Sequence, residues 1–173
     1  ATPHPAHAEW SIKAAEAGKH ALVEKPMALT AFEADAVIHA ASKAGTFLGE
    51  GYMYRQHPQT AKLIALIREG AVGEVRMVKS SFGFAMPRFD PGHRLYANHL
   101  AGGGVLDVGG YPVSMARLIA GAVEGRPFSE PDTVMGTAYL GQGGVDERAS
   151  AVLRFPSGLI ADVSCSISLQ QDN

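Results

Sequence analysis

Cysteine is nearly absent from this chain: Cys165 is the only one among 173 residues. An internal disulfide is therefore impossible, and a cysteine-rich zinc site is excluded. A single cysteine suits a reducing compartment, so we predict a cytoplasmic location.

Long apolar runs and clustered positive charge are missing too. No stretch approaches the ~20 apolar residues that a membrane-spanning helix needs. The 15 basic residues are scattered, and the formal net charge is -2. We therefore predict neither a membrane nor a nucleic acid as a partner, since nucleic acid requires a basic surface. What is present, 46% hydrophobic and 18% charged residues, suits a globular protein.

The chain also has no initiator methionine. Its first residues, Ala1-Thr2-Pro3-His4, are typical of a loop that follows a strand, and it stops four residues after a strand-like run over residues 159–169. We therefore expect an internal fragment of a longer protein, in which a targeting signal cannot be judged.

Up to about residue 55, the sequence alternates between helix and strand patterns. The apolar periodicity predicts a helix over residues 5–17 and a strand over 20–24. A capping box at Thr30 and Glu33 then opens a helix that ends near Gly45, and a second strand follows over 46–53. Such alternation with short links is typical of a parallel, doubly wound sheet.

Beyond residue 55 the pattern becomes richer in strands. We predict a helix over 58–69, a strand from 75 towards 84, and a long loop over 85–101, of a length that is often functional. A glycine-rich helix over 102–120 precedes three strands, over 133–140, 148–155 and 159–169. Pro156-Ser157-Gly158 joins the last two as a tight turn. The second part is therefore a mostly antiparallel sheet with helices.

Lys25 lies where the first predicted strand ends. Ligands of open α/β sheets bind beyond the carboxyl ends of the strands. Pro26 bars Lys25 from the α region and so directs the chain as it leaves the strand. The alternative is a lysine that only faces water, and Lys25 alone does not decide between the two.

A glycine-rich stretch supplies candidate partners for this lysine. If it is helical, Asp107 and Tyr111 are four residues apart and project from one face. Five glycines within residues 102–110 cost roughly 1 kcal/mol each, so we expect something to approach the backbone closely there. A lysine, an acid and a phenol can form a proton-transfer group, in which the ammonium lowers the phenol pKa. The alternative places Asp107 near a helix start and Tyr111 in the core.

Four motifs, in this order, resemble the Gfo/Idh/MocA oxidoreductase family. They are Thr2-Pro3-His4-Pro5-Ala6-His7, Glu24-Lys25-Pro26, Glu50-Gly51-Tyr52-Met53-Tyr54-Arg55-Gln56-His57-Pro58, and Gly-Gly-Gly-x-x-Asp-x-x-x-Tyr over residues 102–111. The third is similar to a branch that includes NADP-dependent D-xylose dehydrogenases and dimeric dihydrodiol dehydrogenases. The resemblance extends through most of the chain, including the turn at residues 154–158.

The resemblance implies both a fold and a function. The fold is α/β: residues 1–55 are the C-terminal part of a Rossmann-like NAD(P)-binding domain, and residues 56–173 are a truncated α+β domain with a large, mostly antiparallel open sheet. The cofactor is NADP or NAD, and a hydride passes between the nicotinamide and a carbinol carbon of a sugar or polyol. A homo-oligomer formed through the open sheet is also implied. The family's G-x-G-x-x-G turn belongs upstream of Ala1, so we expect this fragment alone to bind the dinucleotide poorly and to be inactive.

The resemblance also assigns residues to the site. It implies catalytic roles for Lys25, Asp107 and Tyr111, with Tyr111 as the acid/base, whereas many inositol dehydrogenases carry histidine in its place. The residues expected to bind the cofactor are Thr2, Pro3, His4, His7, Glu24, Lys25, Pro26 and Arg55. Those expected to contact substrate are His57 and Tyr111. No metal site is expected, because no acidic residue is suitably spaced with His93 and His99.

Several alternatives stay open. His7 can be a helix-terminus histidine, and His57 a helix N-cap, rather than ligand-binding residues. An enzyme resembling glucose–fructose oxidoreductase, with tightly held NADP, is a second chemistry on the same scaffold. A non-catalytic sensor of a sugar or nucleotide is a different class of function, although a sensor has no need of Lys25, Asp107 and Tyr111 together. A structural module that serves for self-association is a third alternative to the dehydrogenase function.

Overall fold

The computed structural model describes residues 2–171. Its helices and strands, in chain order, are α1 (His7–Glu16), β1 (Ala21–Val23), α2 (Ala31–Ala44), β2 (Leu48–Glu50), α3 (Pro58–Arg68), β3 (Met77–Gly83), α4 (Gly110–Val123), β4 (Thr133–Leu140), β5 (Asp146–Arg154) and β6 (Ile160–Ser166). Short 3-10 helices occupy His4–Ala6, Met53–Gln56 and Asn98–Leu100, and a π-helical turn, Val105–Gly109, leads directly into α4. The predicted α/β order of elements is confirmed.

The first part of the chain is a small parallel unit. β1 and β2 pair in parallel, with Ala21 opposite Leu48, as the alternating pattern predicted. The N-cap of α2 is the predicted Thr30, whose side chain accepts from the Glu33 amide at 3.2 Å. Gly45 ends this helix in the left-handed region, at φ 64°. Local capping chemistry therefore sets both ends of α2.

The second part is a four-stranded sheet in the order β3-β6-β5-β4. β5 pairs antiparallel with both β4 and β6, whereas β3 and β6 are parallel, so the sheet is mixed. The predicted turn between β5 and β6 is present, with Gly158 at φ 86° and its amide bonded to the Phe155 carbonyl. Only glycine adopts such a backbone conformation without strain.

Helices α3 and α4 cover one face of this sheet. The largest apolar core joins them to β5 and β6, with Phe155, Leu159 and Ala161 at most 1% exposed. Because side chains alternate along a strand, Leu153 enters this core while its neighbour Val152 faces the other way. The second face of the sheet is thus open. Helix α4 packs against the first face, and Asp107 lies in the turn that precedes its N-terminal end.

Neither a membrane-spanning helix nor a metal-binding cluster is found in the described part of the chain. No helix within residues 2–171 has the length and apolar character to span a bilayer. Within the same residues, no three His, Cys, Asp or Glu side chains gather closely enough to hold a metal ion.

Candidate active site

Lys25 lies directly beyond β1 and turns into the protein rather than towards water. Its ammonium donates to the backbone carbonyl of Asp107 and, at 3.4 Å, to the Asp107 Oδ1. The two side chains are 17% and 5% exposed. These residues are 82 positions apart, so the contact joins the parallel unit to the turn that precedes α4.

Two elements anchor the backbone that follows this lysine. Glu50, at the end of β2, accepts from the Met27 amide at 2.7 Å. His7, at the start of α1, has its Nδ1 2.7 Å from the Pro26 carbonyl, which can only accept a hydrogen bond. The peptide bond between Lys25 and Pro26 is cis. His7 therefore has the helix-terminus position that one alternative proposed, and its role towards a cofactor stays a prediction.

Asp107 is shared between two cations. Besides Lys25, the Arg94 guanidinium donates to the same Oδ1 from Nη1 at 2.9 Å. The Arg94 side chain is 56% exposed and comes from the long loop predicted over residues 85–101, in which no motif marks a site residue. Charge-assisted hydrogen bonds of about 2.9 Å are strong, so the carboxylate is held mainly by Arg94.

Tyr111 packs beside this ion pair within an aromatic cluster. The Lys25 Nζ lies 5.5 Å from the centroid of the half-buried Tyr111 ring. Tyr52 and Phe82 contact that ring edge to face, each at 5.1 Å between centroids. Lys25, Asp107 and Tyr111 are therefore brought together, as the motifs predicted.

The expected lowering of the phenol pKa is wrong for this structure. Burial raises the pKa of Tyr111, and the Glu24 and Asp107 carboxylates raise it further. The physical reason is that the phenolate would be desolvated beside two negative charges. The Lys25 ammonium, meanwhile, is hydrogen-bonded to Asp107.

The glycines of this stretch make room for the protein's own groups. A side chain at Gly103, which has φ 107°, would place Cβ 2.3 Å from the Asp146 Oδ1. The Asp146 carboxylate instead accepts from the Val105 amide at 2.7 Å and so caps the turn that carries Asp107. At Gly110 a Cβ would lie 2.1 Å from the Tyr52 hydroxyl. The predicted close approach to the backbone is confirmed, and the approaching groups belong to Asp146 and Tyr52.

The N-terminal loop, the end of β1 and the π-helical turn enclose a cleft of about 240 Å³. Seven predicted site residues line it, Thr2, Pro3, His4, His7, Glu24, Lys25 and Asp107, together with Arg94 and Leu100. Hydrogen-bonding groups of Thr2 and Lys25 beside the apolar surface of Pro3 and Leu100 suit the nicotinamide ribose of a dinucleotide. The pKa of His4 is lowered because the ring is buried, which favours its neutral form.

Four predicted residues lie outside the lining of this cleft, namely Pro26, Tyr111, Arg55 and His57. The Arg55 guanidinium stacks over the Phe128 ring at 4.3 Å. The His57 Nδ1 accepts from the Gln59 amide at 3.2 Å and caps α3, which is the alternative role considered for it. Their roles in binding cofactor and substrate stay predictions.

A second cavity, of about 360 Å³, lies between the start of α4 and the sheet. Its walls are mostly small or apolar, including Val105, Pro112 and Val163. Burial raises the pKa of the Cys165 thiol in its wall to about 11, so this thiol is not a nucleophile at neutral pH. The charged groups Lys25, Asp107 and Arg94 line the polar cleft instead.

Known protein families match both parts of the chain. Residues 1–52 match the oxidoreductase family with an NAD-binding Rossmann fold. Residues 60–173 match the GFO/IDH/MocA C-terminal domain. The chain belongs to the GFO/IDH/MocA family. The family and the fold inferred from the four motifs are thereby confirmed for this GFO/IDH/MocA protein.

Curated relatives of this GFO/IDH/MocA protein include two dehydrogenases. The chain is 40% identical over 171 residues to D-xylose 1-dehydrogenase (NADP(+)) 2 of Haloferax volcanii, covering 95% of the chain and 48% of that relative. It is 32% identical over 173 residues to trans-1,2-dihydrobenzene-1,2-diol dehydrogenase of Mus musculus, covering 100% of the chain and 49% of that relative. The chain spans about half the length of the curated relatives it matches.

Solved structures of similar proteins share the fold. Aldose-aldose oxidoreductase from Caulobacter crescentus, complexed with glycerol, is 34% identical with a TM-score of 0.87, over 98% of this chain and 50% of that one. A 3-ketoreductase from Actinomadura kijaniata, in complex with NADP and TDP-benzene, is 29% identical with a TM-score of 0.81, over 99% of this chain and 50% of that one.

Proposed function

We propose that the complete protein is an NAD(P)-dependent dehydrogenase acting on a sugar or polyol-like substrate, of the aldose or trans-dihydrodiol type. One observation carries the proposal: Lys25, at the strand end of the NAD-binding part, is hydrogen-bonded to Asp107 and lies 5.5 Å from the ring of Tyr111. The activities named for the Haloferax volcanii and Mus musculus relatives support the substrate class.

The three side chains have complementary roles in this proposal. The nicotinamide, when bound, supplies the hydride acceptor or donor. Tyr111 exchanges the proton of the substrate hydroxyl, because its phenol packs beside the lysine while the Asp107 carboxylate is engaged by Lys25 and Arg94. Lys25 orients the substrate oxygen and the ribose, and Asp107 holds the lysine in place by accepting from its ammonium. The raised pKa of Tyr111 keeps the phenol protonated at neutral pH, which suits proton donation to a carbonyl in the direction of reduction.

The polar cleft is proposed as the nicotinamide end of the cofactor site. Thr2, Pro3, His4, His7 and Glu24 line the cleft with Lys25, which supports the grouping. Pro26 and Arg55 are proposed to act at its margin, and His57 towards the substrate. We place the boundary between the cofactor-binding and substrate domains at residue 55, which lies between the two matched ranges.

Two replacements test the catalytic assignment in the complete protein. Lys25→Met and Tyr111→Phe should each lower kcat by at least ~10², the usual share of general acid–base catalysis. The measurement is steady-state reduction of NADP+ or NAD+ with aldoses such as D-xylose. Near-normal turnover in either variant would contradict the assignment.

Matched controls separate chemistry from packing. Tyr54→Phe removes one hydroxyl, bonded to Ser114 at 2.7 Å, from the same aromatic cluster and should leave kcat within a few-fold of the parent. Lys62→Met removes a lysine from the surface of α3 and should change nothing. A similar loss in these controls would point to disturbed packing instead of lost proton transfer.

A second candidate function is oxidoreduction between two aldoses with a retained cofactor. The likeness to the Caulobacter crescentus aldose-aldose oxidoreductase supports it. If the complete protein keeps its dinucleotide through gel filtration and turns over two aldoses without added cofactor, this second function replaces the first. Loss of the dinucleotide and strict dependence on added cofactor favour the dehydrogenase.

We also propose a homo-oligomer formed through the open face of the sheet, in the cytoplasm. Exposed apolar side chains on that face support the interface: Met77 is 56% exposed, Met135 64% and Ile160 41%. Patches of this kind on sheet faces often mark protein–protein contacts. The single free cysteine supports a reducing location.

A further inference from the structure

Arg94 is fixed by its neighbours although its own side chain is half exposed. Leu95, the next residue, is 2% exposed and packs in a small core with Ile167. The Leu95 carbonyl accepts from the Gly103 amide at 2.9 Å. A Cβ at Gly102 would lie 2.7 Å from the Arg94 carbonyl oxygen. The backbone at Arg94 is therefore packed directly on the glycine run that leads to Asp107.

The two cations compete for one carboxylate oxygen. Arg94 Nη1 lies 2.9 Å from the Asp107 Oδ1, whereas Lys25 Nζ lies 3.4 Å from it. The shorter contact is an ordinary charge-assisted hydrogen bond and the longer one is weak. The main acceptor for Lys25 is the Asp107 backbone carbonyl. Arg94 thus occupies the carboxylate that would otherwise draw the lysine.

We propose that Arg94 is a positioning residue that acts through Asp107. Its guanidinium holds the carboxylate, leaves the Lys25 ammonium on the main-chain carbonyl beside the Tyr111 ring, and offsets the carboxylate charge felt by Tyr111. This inference rests on the proposed roles of Lys25 and Tyr111.

The charges around Tyr111 favour this view. Glu24 and Asp107 both raise its pKa, and the titratable phenols of Tyr52 and Tyr54 contact its ring. Around Asp107 the facing groups are Lys25, Arg94, His4 and, across His4, His7. Since Lys25 is the only other cation bonded to this carboxylate among residues 2–171, loss of Arg94 leaves more negative charge beside the phenol.

The test is a pH profile of the complete protein with Arg94→Met, which keeps the length of the stem and removes the charge. We expect kcat to fall roughly tenfold, the scale of a disturbed active-site geometry. The alkaline limb of kcat/KM for carbonyl reduction, in which the phenol must be protonated, should move to higher pH, while KM for the substrate stays the same. Arg94→Lys, which keeps the charge but not the planar fork, should restore the limb and part of kcat.

Two further variants make the outcome decisive. In an Asp107→Asn background, Arg94→Met should no longer move the limb, because the charge through which Arg94 acts is gone. Arg76→Met, which breaks an exposed ion pair with Glu74, is the matched control and should leave the profile unchanged. If Arg94→Met does not fold, Arg94→Lys carries the test. A limb that is displaced in Arg94→Lys, while the limb of the Arg76→Met control is unchanged, would overturn the role of charge.

The possible results separate this inference from the proposed function. An unshifted limb with a raised KM in Arg94→Met overturns the positioning role, since Arg94 would then bind substrate directly. An unshifted limb with normal kcat also overturns it, even when Lys25→Met and Tyr111→Phe are inactive. Full activity in those two variants refutes the proposed function itself.

Discussion

The contact between Gly110 and Tyr52 gives a prediction that the structure quantifies. Replacing Gly110 with alanine would place a Cβ 2.1 Å from the Tyr52 hydroxyl oxygen and 3.1 Å from its Cζ. The first distance is far inside van der Waals contact, so the tyrosine must move. Its ring packs edge to face on Tyr111 at 5.1 Å, and any movement disturbs that pair.

The expected size follows from three effects. Alanine in a helix is about 1 kcal/mol more favourable than glycine. Overpacking of this kind costs about 1–3 kcal/mol, and a disturbed aromatic pair about 0.5–1.5 kcal/mol. Gly110→Ala should therefore lower the free energy of unfolding by roughly 0.5–3.5 kcal/mol, against the direction that helix propensity alone predicts.

A double-mutant cycle isolates the cause. Tyr52→Phe removes the hydroxyl and leaves the 3.1 Å contact, which small movements can relieve. In that background Gly110→Ala should be neutral or slightly stabilising, so the coupling energy should be at least as large as the loss of stability in the parent. Urea unfolding of the four proteins measures it. An equal loss of stability from Gly110→Ala in both backgrounds would refute the reasoning.

Two other predictions concern pH and assembly. Since burial lowers the pKa of His4 below its ordinary value of 6.5, its contribution to stability is complete above that pH and is lost as the pH falls towards the lowered value. His4→Asn should flatten the fall of unfolding free energy below pH 6.5, as followed by denaturant titrations, and an unchanged slope would contradict this. Met135→Glu, on the open sheet face, should shift the mass measured by light scattering towards the monomer, whereas Ala61→Glu, on the exposed surface of α3, adds the same charge away from that face and should not.

Local signals predicted most of the fold because they act over a few residues. Thr30 and Gly45 set the ends of α2, and Gly158 sets the turn between β5 and β6. Strand ends were less accurate: the strand expected over residues 46–53 is β2, Leu48–Glu50. The length of a strand depends on where its partner ends, which a local pattern does not contain.

The helix expected over residues 102–120 shows the same limit. It begins as a π-helical turn, Val105–Gly109, and continues as α4, Gly110–Val123. The turn is shaped by contacts from elsewhere, since Asp146 caps its start and Tyr52 packs on Gly110. Neither partner is near in sequence, so the apolar periodicity does not show where the π-helical turn ends and α4 begins.

The candidate site, too, was predicted only in part from the sequence. The motifs identified Lys25, Asp107 and Tyr111, which lie close together in the structure, while their assignment to the site and their chemical roles stay predictions. Arg94 was missed because it lies in an aperiodic loop, where no pattern marks one charged residue among several. The five glycines within residues 102–110 indicated that other groups approach this backbone closely. They did not indicate that Asp146 is one of those groups.

By itself, the sequence determined the order of the elements, the family and the three residues, Lys25, Asp107 and Tyr111, on which the proposed site is built. These depend on capping, turn chemistry and motifs that are written within short segments. Only the tertiary structure decided that Arg94 shares Asp107 with Lys25, and that burial beside two carboxylates raises the pKa of Tyr111. Hydrogen-bond geometry and desolvation depend on distances between residues far apart in the chain, and folding alone sets those distances.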